Sequence, residues 1–213
     1  MSVRPDPTAD LLALVDWRRR IADLYARVRS DPDHEAAWRA WRDVRDQLFA
    51  RHPQSPLEPS LRAGFSGLSY FDYDPAVRVL ASVEPSEPVA VDVPMSQEAA
   101  YRFTRFGRAT FELQEQRCAL GVLWLEGYGG GLFVSFTDAT SGDTTYGAGR
   151  YLLDTVKGAD LGQEGERLVL DFNFAYHPSC AYDSRWACPL APPENRLAFA
   201  VASGERLAAA VRR

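Results

Sequence analysis

Residues 109–126 read A-T-F-E-L-Q-E-Q-R-C-A-L-G-V-L-W-L-E, and this stretch decides the fold class. Phe111-Glu-Leu-Gln114 alternates apolar with polar side chains, the period of a strand with one face in a core and the other in water. Residues 109–116 and 117–126 are therefore predicted as adjacent antiparallel strands.

Outward from this pair, the same short β-rich runs recur at residues 68–73, 77–83, 89–93, 101–105, 131–137, 144–153, 167–172 and 196–202. Residues 89–93 alternate branched with small or polar side chains. Helical spacing is missing between most of these runs, which disfavours a parallel doubly wound sheet and points to an antiparallel barrel or sandwich. Gly127-Tyr-Gly-Gly-Gly131 has the composition of a phosphate loop, but no Lys-Ser/Thr follows it, so it reads as a hairpin turn. Residues 138–143 read as another turn. The acid-rich stretch 157–166 reads as a surface excursion.

The pattern changes upstream of residue 60. Leu14, Trp17, Ile21, Leu24 and Val28 recur at steps of three and four, one face of a helix over residues 10–29. Arg18, Arg19 and Arg20 fan across the rest of it as a solvated surface. Asp31 as N-cap and Pro32 at the first helical position would start a second helix, whose face carries Trp38, Trp41, Val44 and Leu48. His52-Pro53 ends that helix, because a residue before proline is pushed out of helical geometry. The expected architecture is mainly β, of α+β type. Residues 1–60 form an N-terminal helical hairpin with a Pro-rich linker, and residues 61–213 an antiparallel β-barrel or sandwich, the two making one structural unit.

The chain carries a net charge of −5, which does not attract phosphate backbones, so nucleic acid is not expected as a partner. Arginine supplies the basic side chains; Lys157 is the only lysine. Acids and prolines stand where a signal peptide needs a basic start and an apolar run, and no segment has the apolar length of a membrane span. The cytosol is the expected compartment, with Cys118, Cys180 and Cys188 reduced. A nucleophile elbow, a Walker A loop, a dinucleotide fingerprint and an H-E-x-x-H pair are all absent, so no reaction or cofactor is assigned.

Candidate chemistry concentrates in residues 171–196, D-F-N-F-A-Y-H-P-S-C-A-Y-D-S-R-W-A-C-P-L-A-P-P-E-N-R. His177, Cys180 and Cys188 are three possible ligands for a soft or borderline metal, with Asp171 or Glu194 as a fourth. Their H-x2-C-x7-C spacing is not a standard zinc pattern, and two packed or cross-bridged cysteines pinning a long loop are the favoured reading. A cysteine nucleophile activated by His177 is a second reading. The third is a polar set, Tyr146, Arg150, Asp171, Asn173, Glu194, Asn195 and Arg196, suited to a small polar or anionic molecule or, alternatively, to tying the loop onto the sheet.

Three passages carry a family likeness: T-T-Y-G-A-G-R-Y-L (144–152), L-D-F-N-F-A-Y-H-P-S-C-A-Y (170–182) and C-P-L-A-P-P-E-N-R-L (188–197). F-S-G-L-S-Y-F (65–71) and W-R-D-V-R-D-Q-L-F (41–49) extend it. The chain resembles the prokaryotic family known as domain of unknown function 1684. That resemblance implies no reaction, substrate or cofactor. His177 stands where the family pattern often has Asn, which counts against a metal-ligand role for it.

Two functions follow from these readings. One is a small-molecule site under the 171–196 loop. The other is a non-catalytic interaction or structural module that presents Trp17, Trp38 and Trp41 of the hairpin to a partner.

Overall fold

The computed structural model describes residues 7–98 and 101–208. Two helices, α1 (Pro7–Ser30) and α2 (His34–Arg51), form an antiparallel hairpin, and a one-turn α3 (Pro59–Arg62) follows. Asp33, not Asp31, caps α2: its side chain accepts from the Ala36 amide at 2.9 Å, while Asp31 accepts from the Asp33 amide and Pro32 stays in the connector. His52 is the C-cap in extended geometry, as the following proline requires.

The β part comprises β1 (Ser69–Tyr70), β2 (Arg78–Val91), β3 (Phe103–Leu113), β4 (Gln116–Leu125), β5 (Gly131–Phe136), β6 (Arg150–Asp154), β7 (Gln163–Glu164), β8 (Arg167–Asp171) and β9 (Glu205–Arg206). Seven strands make one antiparallel sheet in the order β6-β5-β4-β3-β2-β8-β7, and β1 pairs with β9. The large sheet curls as a half-barrel. β2 makes the corner, because Arg78–Ala81 pair with β8 whereas Ser82–Val91 pair with β3. Tyr151 of β6 exchanges backbone hydrogen bonds with Tyr176, so the chain leaving β8 comes back onto the far edge strand.

Several boundaries differ from the sequence expectation, each for a physical reason. Residues 77–83 and 89–93 belong to one strand, because the register slips between Pro85 and Val89 and a bulge tolerates the prolines that seemed to break it. Residues 101–105 and 109–116 likewise join through a slip at Gly107, where an added Cβ would meet the Glu84 carbonyl at 2.9 Å. The β3–β4 turn lies at Gln114 and Glu115, both with positive φ, two residues ahead of the expected junction. Residues 144–149 form a turn, so β6 starts only at Arg150. Residues 196–202 are no strand; Arg196 forms a single parallel bridge beside Thr137.

One hydrophobic cluster joins Ile21, Leu24 and Val28 of α1 and Trp38, Trp41 and Leu48 of α2 to Leu120, Val134, Leu152 and Leu170 of the sheet. A smaller cluster joins Val93, Phe103, Leu123, Phe133 and Tyr151. The stretch 157–166 is no surface excursion at its start: Ala159 and Leu161 are buried, and α1 lies so close to Gly158 that a Cβ there would meet the Ala22 amide at 2.9 Å. The Pro-rich linker is a packed strap. Ser55 Oγ donates to the Phe49 carbonyl at 2.6 Å, and Arg62 gathers carbonyls of residues 52 to 57. Among the described residues, no helix is long and apolar enough to cross a membrane.

Candidate functional site

The 171–196 loop runs from the end of β8 back to β6, where Tyr176 pairs with Tyr151. It is pinned at three places: Trp186 and Arg185 donate to the strap carbonyls of Pro56 and Ser55, the Leu190 amide donates to the Pro94 carbonyl at 2.7 Å, and the Tyr151 hydroxyl donates to the Pro189 carbonyl. The polar residues singled out from the sequence do not converge on one spot. They divide into three groups.

Asp171 and Asn173 sit at the start of the loop. Asp171 caps the 3-10 turn Phe172–Phe174 by accepting from the Asn173 amide at 2.9 Å, and burial holds its carboxyl above the ordinary value. The Asn173 side chain pairs in both directions with the Asp74 backbone, accepting at 3.0 Å and donating at 2.8 Å. Asn195 works similarly at the other end. Its amide donates to Gly121 and Ser135 carbonyls and accepts from the Gly121 amide at 2.6 Å, filling the gap where β4 and β5 part beyond Leu123 and Phe133. Glu194 pairs with Arg105 at 3.5 Å, and Arg196 is exposed.

The third group lies around residues 201–206. Arg150, buried, forms an ion pair with Asp138 at 2.6 Å and donates to the carbonyls of Val201 and Ser203. Glu205, also buried, takes Arg45 at 2.7 Å and lies 3.6 Å from His177 Nδ1. Arg45 is a residue the sequence reading passed over. Its guanidinium also donates to the Tyr70 hydroxyl and lies against the rings of Trp41, Phe49 and Tyr176. Burial raises Glu205 to about 7, against the opposing pull of Arg45. Burial and the neighbouring Arg150 and Arg45 lower His177 to about 3.

His177 is therefore a neutral imidazole. Its Nε2 accepts from the Tyr146 amide at 3.2 Å, which leaves the proton on Nδ1, facing Glu205. Among the described residues, no three His, Cys, Asp or Glu side chains converge as a metal site needs. Cys180 instead meets the Tyr146 hydroxyl at 3.8 Å, and its amide donates to Cys188 Sγ at 3.4 Å; both thiols are free.

Two adjoining cavities lie beneath the loop. The inner one, about 60 Å³, is lined by Tyr25 and Arg45 from the helices, Tyr151 and Asp154 from β6, and Tyr176 and His177 from the loop. The Tyr25 hydroxyl is buried with no hydrogen bond to any described group, the Trp41 indole N–H lying near it but out of geometry. Burial pushes Tyr25 up to about 12 and raises Tyr151 and Tyr176 well above the ordinary value, so all three stay hydroxyls. The outer cavity, about 100 Å³, has apolar walls of Phe103, Leu125 and Phe133, with Arg18, Tyr101 and Lys157 around it.

Asp154 and Lys157 belong to the walls of both cavities. They form an ion pair at 3.3 Å in which the carboxylate is buried and the lysine side chain is 48% exposed. Asp154 raises the Lys157 ammonium pKa. The sequence offered one signal for this place: the chain's only lysine.

The family profile described as "Protein of unknown function (DUF1684)" matches residues 63–206, two thirds of the chain. The chain belongs to this family. The matched region holds the sheet and the whole loop, whereas α1 and α2 precede it. A solution NMR structure of an uncharacterized protein from Haloarcula marismortui is similar to the chain, with 38% identity, a TM-score of 0.59, and coverage of 82% of this chain and 95% of that one. No curated protein matches.

Proposed function

We propose that the chain binds a small amphiphilic anion in the paired cavities under the loop, with its acid group at Lys157 and its apolar arm between Phe103, Leu125 and Phe133. The observation that carries this reading is the junction at Asp154 and Lys157, where two mainly apolar cavities share a wall that holds a half-exposed ammonium. Concave, mostly apolar walls with a few fixed polar groups suit a ligand of this kind. Inside, the unpartnered Tyr25 hydroxyl supplies a donor, and Arg18 adds positive charge at the outer rim.

The hairpin as a partner-docking module has less to support it. Trp38 and Trp41 are buried against the sheet, with Trp38 Nε1 donating to the Asn173 carbonyl at 3.0 Å, and Trp17 is partly buried against Phe49 and His52. A docking surface needs exposed apolar area, which these side chains do not give.

The test is a thermal-shift screen of small aromatic and branched aliphatic carboxylates, each beside its neutral amide. At saturating concentration the matching acid raises Tm of the wild type by several degrees, through binding the folded state alone. Its amide does not, and Lys157→Gln abolishes the shift. The reading falls if no acid raises Tm or if Lys157→Gln responds like the wild type.

A further inference from the structure

Outside those cavities lies a second piece of chemistry, the two thiols of the loop. Cys180 sits in the 3-10 turn Ser179–Ala181 and is half-buried, while Cys188 is buried at 3% exposure. The two residues are neighbours, the Cys180 amide donating to Cys188 Sγ at 3.4 Å. Two further hydroxyls complete the surroundings. The Tyr146 hydroxyl is 3.8 Å from Cys180 Sγ, and Ser96 Oγ accepts from the Cys188 amide at 2.8 Å while donating to the Trp186 carbonyl. Cys118 is the internal contrast: it lies on β4, buried, with its thiol directed to the Gln116 carbonyl.

We propose that Cys180 and Cys188 form a two-thiol site that reduces small hydroperoxides, with Cys180 as the attacking sulfur and Cys188 as the resolving one. A half-buried cysteine beside a buried one, with the Tyr146 hydroxyl next to the first, is the arrangement such a site requires. Charge distribution agrees with the geometry. Pairing with Cys188, helped by the Tyr146 hydroxyl, brings Cys180 down to about 6, whereas sharing that proton and burial raise Cys188. Burial raises Cys118.

In the first step the Cys180 thiolate attacks one peroxide oxygen, the O–O bond breaks, and the leaving alkoxide takes a proton from solvent to become an alcohol. Cys180 is then a sulfenic acid. In the second, Cys188 loses its proton and attacks the Cys180 sulfur; the hydroxide leaves as water and a disulfide forms. Two thiols lose two electrons and the hydroperoxide gains them, giving one alcohol and one water. Tyr146 is a positioning residue that holds the Cys180 sulfur and steadies its charge.

The experiment uses the reduced full chain, treated with hydrogen peroxide or tert-butyl hydroperoxide near neutral pH. Wild-type protein is expected to lose about 2 Da, with a peptide map linking Cys180 to Cys188 and Cys118 still free. Cys188→Ser should stop at a Cys180 sulfenic acid, trapped by a 1,3-diketone, while Cys180→Ser consumes peroxide about tenfold more slowly or less. Below saturation the wild-type rate should rise with pH to a plateau with its midpoint near 6, and Tyr146→Phe should move that midpoint upward. The mass and map of the wild type decide the matter without any variant. Unlinked oxidation of Cys180, equal oxidation of Cys118, or undiminished consumption by Cys180→Ser overturns the proposal. None of these readouts involves Lys157 or a carboxylate, so this proposal and the ligand site can fail separately.

Discussion

Replacing Arg45 with methionine keeps most of the side-chain volume among Trp41, Phe49 and Tyr176 but removes the charge that meets Glu205. The pair is buried on both sides, 7% and 1% exposed, so water cannot take over the role of the guanidinium. Removing one partner of a buried ion pair costs about 3–5 kcal/mol, because the other is left charged and uncompensated. The cost depends on pH, and the sign follows from Glu205. Its folded-state pKa, about 7, is above the ordinary 4.5, so the folded protein holds the proton more tightly, and the contribution of Glu205 to stability is lost as pH rises from 4.5 through 7. Arg45 opposes that rise, and without it the folded value climbs further. His177, lowered to about 3, contributes the opposite slope: stability is lost as pH falls from 6.5 towards 3. Arg45→Met should therefore cost about 3–5 kcal/mol at about pH 8.5, roughly 10 °C in Tm for a chain of this size, and clearly less at about pH 6, where the carboxyl is mostly neutral. Urea unfolding of both proteins at both pH values measures it, and Arg45→Met/Glu205→Gln should recover much of the loss at the higher pH. An equal loss at the two pH values, or no recovery in the double variant, would refute the reasoning.

Two further substitutions probe how the loop is held. Asn195→Ala strips three hydrogen bonds from the gap between β4 and β5 and leaves two carbonyls and an amide of Gly121 and Ser135 unmatched; a loss of about 3 kcal/mol in urea unfolding is expected, with faster amide exchange at Gly121. Gly204→Ala places a Cβ 2.6 Å from the Ala175 carbonyl and 2.7 Å from that of Phe172, at a φ of +71°; a loss of about 2–4 kcal/mol is expected, and a Tm within a degree of wild type would show that the 172–175 turn yields easily.

The helices and the class of the sheet were legible because their patterns have clean periods. The strand boundaries were less so, since the devices that set them are not marked by residue type. Gln114 and Glu115 turn the chain with positive φ where Asn-Gly would have announced a hairpin, and Pro85 and Pro88 look like breaks although a bulge carries them through one strand. Within the 171–196 loop, the structure separates residues that the sequence reading grouped together. Asp171, Asn173 and Asn195 are polar because they satisfy backbone groups, and sequence spacing cannot tell that from ligand recognition. Arg45 did leave a trace: it falls four residues after Trp41 and four before Phe49, a charge on a buried stripe, and such a charge needs a partner. That the partner would be Glu205, 160 positions away, was not available from any local pattern.

That separation also governs the order in which the molecule can be made. The 201–206 segment supplies the carbonyls for Arg150, the carboxylate for Arg45, and the strand that pairs with β1, so elements from both halves wait on it. During synthesis the curled sheet and the hairpin emerge well before the segment that locks them, and until then Arg45 lacks its counter-charge and Arg150 its carbonyl acceptors in an interior that has no water to offer. Long-range closure of this kind slows folding and prolongs the life of partly assembled chains. A nascent chain halted just before Val201 should thus remain open to protease along α2 and β6, and its release should close both at once.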